Sequence, residues 1–382
     1  MEVLGLSSED TPITVDILRR LFEQADIEIN GSRPWDIQVH ERRWYKRVIQ
    51  DKNLGLGESY VDGWWDCQRL DEMICRILRS GLEDKVRGNF KYLLRLLPAV
   101  LFNLQSKRRA RMIADRHYDL GNDLFFAFLD PYRQYSCAYF KGTDDLARAQ
   151  QNKLALIAEK LNLSAMDRVL DIGCGWGGLA RYIAEQFGCA VTAVNISGEQ
   201  LRFAASWCKG LPIQFRLCDY RAIEGRYDKI VSVGMFEHVG CKNYRTFMKT
   251  VNRCLNGYGS FLLHTIGGNT SRTGCDPWIT RYIFPNSMLP STGQVARAAE
   301  QLFVIEDWHN LAPHYDRTLM AWNDNFQRSW PRLRTTYDAR FKRMWEYYLL
   351  SCAGAFRARS IQVWQILMTP HGSGRSRPPQ RR

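Results

Sequence analysis

The chain has 382 residues, 45% of them hydrophobic and 12% aromatic, enough to bury a sizeable core and to set disorder aside as the default. A formal net charge of +13 implies an anionic partner: nucleic acid, a phospholipid surface or an acidic substrate. No run of 18 apolar residues occurs, because the longest candidate, Leu93 to Leu104, is broken by Arg95 and Pro98, so no membrane-spanning helix is expected.

Glu2, Glu9 and Asp10 give an acidic, polar start that does not read as a signal peptide. The eleven cysteines are scattered singly, with no C-x-x-C pair and no His/Cys ligand spacing. Neither a disulfide framework nor a metal site is expected, and the protein reads as reduced and cytosolic.

In chain order, residues 12 to about 105 read as short helices and turns. A first amphipathic helix carries Ile17, Leu18, Leu21 and Phe22; Asn30-Gly31-Ser32-Arg33-Pro34 is a turn, and the alternation over Trp35–His40 suggests a strand. Gly63-Trp64-Trp65-Asp66 is an aromatic-rich turn, and helical spacing resumes from Leu70 to Leu104. The basic run Lys107, Arg108, Arg109, Arg111 and Arg116 then marks a boundary. We place an N-terminal domain over 1–105, a basic linker over 106–120, a main domain over 121–370 and a disordered basic tail over 371–382.

Beyond the linker, strands and helices alternate. Strands are expected at Arg168–Ile172, Ala190–Asn195, Gln214–Leu217, Tyr227–Val233 and Gly259–Thr265, with a helix from Gly198 to Lys209. This predicts an α/β fold with a mostly parallel, doubly wound, Rossmann-like sheet beside a smaller helical N-terminal domain. Arg272 to Ser291, with Pro277, Pro285 and Pro290, is too punctuated to be regular and reads as an insertion or lid near the site. Phe326 to Leu367 reads as helical.

The most informative stretch is Val169-Leu170-Asp171-Ile172-Gly173-Cys174-Gly175-Trp176-Gly177-Gly178. Apolar residues, a carboxylate, alternating glycines and a helical pattern make a buried strand, a tight turn and a helix start. Gly173, Gly175 and Gly177 remove Cβ atoms where a ligand must lie against the backbone. The G-x-G-x-G spacing differs from the G-x-G-x-x-G used around a pyrophosphate and suits an uncharged nucleoside with an amino-acid tail, S-adenosylmethionine. Asn195 ends the second strand where a ribose is met, with Gln200 one turn on. Asp219-Tyr220 ends the third, offering adenine a carboxylate acceptor and a stacking face; Asp219 also suits a helix N-cap.

Read with Leu54–Tyr60, Arg116–Asp123, Gln134–Tyr139, Gly234–Gly240, Leu263–Gly267 and Met344–Arg359, the chain resembles the cyclopropane fatty acid synthase family over nearly its whole length. The resemblance implies an S-adenosylmethionine-dependent methyltransferase that forms cyclopropanes on unsaturated phospholipid acyl chains. It implies that Tyr135, Ser136, Gly173, Gly175, Asn195, Ile196, Gln200, Asp219 and Tyr220 surround the methyl donor. It also implies a bicarbonate base caged by Cys137, Glu237, His264, the backbone of Ile266 and Tyr315, with Cys352 a further candidate. Asn195 stands where relatives often carry Thr, the segment after Gly267 differs, and the basic tail is not a family feature.

The chemistry explains these residue types. Methyl transfer to an alkene leaves a carbocation that needs dry, electron-rich surroundings; Tyr135, Tyr139, Phe236 and Tyr315 are candidates, at about 0.5–2 kcal/mol each. A base must then reach the added methyl. Free Cys137 and Cys352 also read as buried small hydrophobes. The alternatives are a C-methyltransferase making branched acyl chains, a non-enzymatic membrane-binding module, which the intact glycine turn argues against, and a nucleic-acid methyltransferase, for which the usual base-handling motif after the fourth strand is absent. Expected partners are phospholipids of the inner membrane leaflet, met peripherally through Leu93–Leu104 and the basic run, no nucleic acid, and a second copy in a homodimer.

Overall fold

The computed structural model describes residues 12–82, 121–272 and 274–372. The Leu93–Leu104 segment, the basic run from Lys107 to Arg116 and the tail from 373 lie outside these residues. Among the described residues no helix is long and apolar enough to cross a membrane.

A seven-stranded sheet forms the centre, with strands β3 (Arg168–Ile172), β4 (Ala190–Asn195), β5 (Ile213–Leu217), β6 (Tyr227–Val233), β7 (Leu255–Gly268), β8 (Phe303–Asn310) and β9 (Ile361–Pro370) in the order 5-4-3-6-7-9-8. The first five run parallel, and β9 pairs antiparallel with both β7 and β8. The chain winds outward from β3 to β5 and then returns to β6, so the sheet changes winding direction between β3 and β6. Ligands of such folds bind outside the carboxyl ends of strands at this switch. The doubly wound α/β expectation holds, with an antiparallel edge added.

That edge corrects one reading. The helical spacing assigned over Phe326–Leu367 ends with the helix Ala339–Arg357, after which Ile361–Pro370 is a strand. Both faces of this strand are buried, so it presents a continuous apolar run that periodicity cannot tell from a buried helix. The supposedly irregular Arg272–Ser291 segment contains the helix Pro277–Tyr282, started by Asp276, whose carboxylate accepts from the Trp278 and Ile279 N–H groups. Proline at the first position is compatible because its missing N–H would be unpaired there anyway.

The N-terminal region contributes α1 (Pro12–Glu23), α2 (Arg43–Val61) and α3 (Leu70–Arg79), with strands β1 (Gln38–Val39) and β2 (Trp65–Asp66) paired antiparallel. Among the described residues its core is continuous with that of the main domain. Trp44, Trp65, Leu70 and Met73 join one buried cluster with Phe125, Trp176, Trp322 and Trp345. A Cβ on Gly354 would meet the Asp71 carbonyl, so that glycine lets two helices approach closely. Arg357 ties the same junction, bonding Asp71 at 2.5 Å and Asp316 at 2.9 Å. Gly57 plays the equivalent part on α2, where the Trp278 ring occupies the space of a side chain.

Candidate active site

The glycine turn leaves the end of β3 with positive φ at Gly173 (86°), Gly175 (54°) and Gly177 (84°), the region that favours glycine. The three have different surroundings. A Cβ on Gly175 would point into open space, one on Gly173 would press on the Met235 side chain at 2.8 Å, and one on Gly177 would meet Ala204 and Phe215. The space beside Gly175 is therefore open, and Gly177 serves helix–sheet packing.

Asn195 is more fully engaged than a ribose partner needs to be. Its amide donates to the Gly175 carbonyl at 3.3 Å and to Gln200 Oε1 at 2.8 Å, and its carbonyl accepts the Ile196 N–H at 2.8 Å. It holds the glycine turn and Gln200 in register. Asp219 takes the helix-capping option, accepting the Arg221 N–H at 2.9 Å and pairing with the Arg221 guanidinium at 3.3 Å. The Tyr220 ring is buried against Phe247, 5.4 Å between centroids.

Tyr135 and Ser136 lie on the segment between the helices Asn122–Phe128 and Leu146–Leu161. The Tyr135 hydroxyl bonds that of Tyr348 at 2.8 Å, and its ring packs among Phe125, Phe128, Phe284 and Trp322. The two hydroxyls bond each other, and the rings pack among aromatic neighbours. Of the other aromatic candidates, Tyr315 joins this group through Trp322 and stacks near Phe356 at 4.6 Å. Tyr139 instead meets His309 and His314, and Phe236 stacks on Tyr244 in the second core cluster. Those two are not brought to Tyr135.

Glu237 lies in a short turn after β6. One carboxylate oxygen, Oε1, accepts the Ile266 N–H at 2.6 Å, while Oε2 is buried without a hydrogen-bond partner among the described residues. Burial pushes its pKa up to about 7, against the opposing Ile266 N–H, its own N–H and the Thr265 hydroxyl. The neighbouring His238 is held neutral by burial, down to about 4, and supplies no counter-charge. The Ile266 N–H, assigned to an anion from the resemblance, is here turned to Glu237 and fixes its carboxylate.

His264, on β7, is buried. Gln365 Nε2 lies 3.3 Å from its Nδ1, and Nε2 has no partner among the described residues. With that amide donating, the ring proton sits on Nε2. Burial first, then Lys153 and Lys160, push its pKa well down, so it is neutral. Tyr315 is pushed up by burial and by Cys137, Tyr135, Glu237 and Cys352 around it, so it stays a phenol able to donate. Cys137 is buried, its thiol directed at the Ala138 and Leu311 carbonyls, and burial raises its pKa. Cys352, partly exposed yet with its thiol surrounded by protein, is also raised by burial, then by Cys275 and Asp276. Neither cysteine is poised as a thiolate.

A buried polar group beside this site had no role assigned from the sequence. Lys153, Gln134, Gln150, Asp130 and Asp171 are all buried. Gln134 and Asp171 stand in stretches the sequence singled out, whereas Gln150 and Lys153 are signalled only as polar residues three apart at core-facing positions of an amphipathic helix. Gly178, the last residue of the glycine stretch, is set by close packing: a Cβ there would overlap the Tyr132 carbonyl.

Residues 105–366 match the family model described as mycolic acid cyclopropane synthetase. The chain is 54% identical over 353 residues to the cyclopropane-fatty-acyl-phospholipid synthase of Escherichia coli (strain K12), covering 92% of both chains. It is 36% identical over 272 residues to a probable fatty acid methyltransferase of Pseudomonas putida, covering 68% of this chain and 69% of that one. Among solved structures it is similar to mycolic acid cyclopropane synthase CmaA1 complexed with SAH and CTAB, with a TM-score of 0.64 and 31% identity, over 68% of this chain and 97% of that one. The cyclopropane synthase MmaA2 from Mycobacterium tuberculosis gives a TM-score of 0.63 at 30% identity, over 68% of this chain and 97% of that one.

Proposed function

The chain belongs to the mycolic acid cyclopropane synthetase family, and from that premise we propose that it converts the cis double bond of an unsaturated phospholipid acyl chain into a cyclopropane with S-adenosylmethionine as the carbon donor. The alkene π pair attacks the sulfonium methyl, the carbon–sulfur bond breaks, and S-adenosylhomocysteine leaves. The resulting cation loses a proton from the added methyl, and that C–H pair closes the second ring bond.

The glycine turn gives the donor a backbone to lie on, open at Gly175. The cluster of Tyr135, Phe284, Trp322 and Tyr348 excludes water and presents ring faces to the cation. A bound bicarbonate would supply a compact base for the departing proton. The residues present fit such an ion: Glu237 Oε2 is a buried acceptor without a partner, His264 Nε2 is a buried donor without one, and Tyr315 keeps its phenol proton. The ion's hydroxyl would be held by Glu237 and its oxygens by His264 and Tyr315. Glu237 alone is poorly suited as the base, since Ile266 ties one oxygen and its charge has no cationic partner among the described residues.

The observation that carries the reading is the half-satisfied Glu237 carboxylate, with Tyr315 in its electrostatic reach beside the aromatic cluster. The decisive experiment is mass analysis of acyl chains after incubating unsaturated phospholipid vesicles with labelled S-adenosylmethionine. Gain of one CH₂ with a saturated ring supports cyclopropane formation, whereas a branched chain supports the C-methyltransferase alternative. On this reading the protein meets the inner membrane leaflet from the cytoplasm through its basic run, as a homodimer.

A further inference from the structure

Lys153 sits on the helix Leu146–Leu161 with its side chain fully buried. Its ammonium donates to Gln134 Oε1 and, at 3.0 Å, to Ser136 Oγ. Gln150, one turn earlier, donates to the Gln134 and Ser136 carbonyls at 3.3 Å and 2.9 Å. Asp130 closes the other end, accepting the Tyr132 and Gln134 N–H groups at 2.8 Å each. The clamped segment is seated on the glycine turn: the Tyr132 carbonyl and the Gln134 amide both lie over Gly178, three residues beyond the open position at Gly175.

A buried lysine is costly, and hydrophobic packing would stabilise this helix face more simply. Here burial pushes the ammonium down to about 8, opposed by Asp130, Cys137 and Asp171, so it remains largely charged near neutrality. Ser136 has one proton. Because its oxygen accepts from Lys153, that proton is turned away from the ammonium and can be given to an acceptor on the other side. A hydroxyl polarised by a cation behind it is a stronger donor, and a carboxylate is the acceptor it suits best.

We propose that Lys153 is a positioning residue for the methyl donor: it fixes the Gln134–Cys137 segment over the glycine turn and orients the Ser136 hydroxyl to donate to the carboxylate of the donor's amino-acid tail. The inference rests on the S-adenosylmethionine reading and goes beyond it, because it assigns the orientation of the tail's hydrogen-bond donor to Lys153, 20 residues before the first glycine of the turn.

The test compares two probes by calorimetry: S-adenosylhomocysteine, which has the amino-acid tail, and 5′-methylthioadenosine, which lacks it. Lys153→Met should weaken S-adenosylhomocysteine by about tenfold or more, the loss typical of a hydrogen bond to a charged group, and leave methylthioadenosine within about twofold. Ser136→Ala, a smaller change should Lys153→Met fail to fold, should show the same selectivity. The double variant should lose no more than Ser136→Ala alone, because Lys153 acts through Ser136. Equal weakening of both probes would make Lys153 merely structural, and unchanged S-adenosylhomocysteine affinity in either folded variant would also overturn the proposal. Failure of the parent protein to bind S-adenosylhomocysteine would instead remove the donor reading itself.

Discussion

Replacing Glu237 by Gln separates catalysis from stability in opposite directions. The amide carbonyl can keep the Ile266 N–H bond that Oε1 now makes, while its NH₂ replaces the unpartnered Oε2, turning an acceptor into a donor. A bicarbonate hydroxyl would lose its acceptor, and general-base catalysis of this kind is worth about 10²–10⁴ in rate. Turnover on unsaturated vesicles should fall by that amount with little change in S-adenosylhomocysteine affinity.

Stability should move the other way. Burial raises Glu237 to about 7 from an ordinary 4.5. A carboxyl raised on folding contributes stability that is fully present below its unfolded pKa and is lost as pH rises through its folded pKa. The parent should therefore lose on the order of 3 kcal/mol between pH 4.5 and 7 from this group, at about 1.4 kcal/mol per tenfold change in proton affinity. Glu237→Gln carries no such charge, so its advantage should be small near pH 5, open toward pH 7 and level off above it. Denaturant unfolding of both proteins across pH 5–8, in carbon-dioxide-depleted buffer so that no bound ion stabilises the parent, measures the gap. Full turnover in the variant, or parallel stability curves across that range, would refute the reasoning.

Gly178→Ala should destabilise the protein by several kcal/mol, because displacing the Tyr132 carbonyl breaks the Lys153 and Gln150 clamp, against a helix-propensity gain of only about 1 kcal/mol; an unchanged melting temperature would show that the segment yields freely. Gly173→Val places a branched side chain at φ 86° against Met235, and calorimetry should find S-adenosylhomocysteine binding abolished. Binding to anionic vesicles should weaken as salt rises and when Arg108 and Arg109 are neutralised together, with donor affinity spared; sedimentation with vesicles at two salt concentrations checks it.

The glycine turn, the alternation of strands and helices and the family motifs are local patterns, and the sequence alone determined them. Strand ends Ile172, Asn195 and Val233 were placed to the residue because β-branched runs stop at glycine or polar residues. Local pattern could not decide β9, since a strand buried on both faces has no alternation, nor the extent of β7, which runs to Gly268 against β9. It also left open what each polar side chain bonds. Asp219 had two uses on offer and took the cap; Asn195 spends its amide on Gly175 and Gln200; the Ile266 N–H goes to Glu237. Lys153 lies 17 residues from Ser136 and 19 from Gln134, and only packing a helix against that segment brings the three together. Residue types and their spacing set which chemistry is possible, because they are local. Burial and hydrogen-bond partnership fix which atoms are left free to perform it, and these come from contacts between segments distant in the chain.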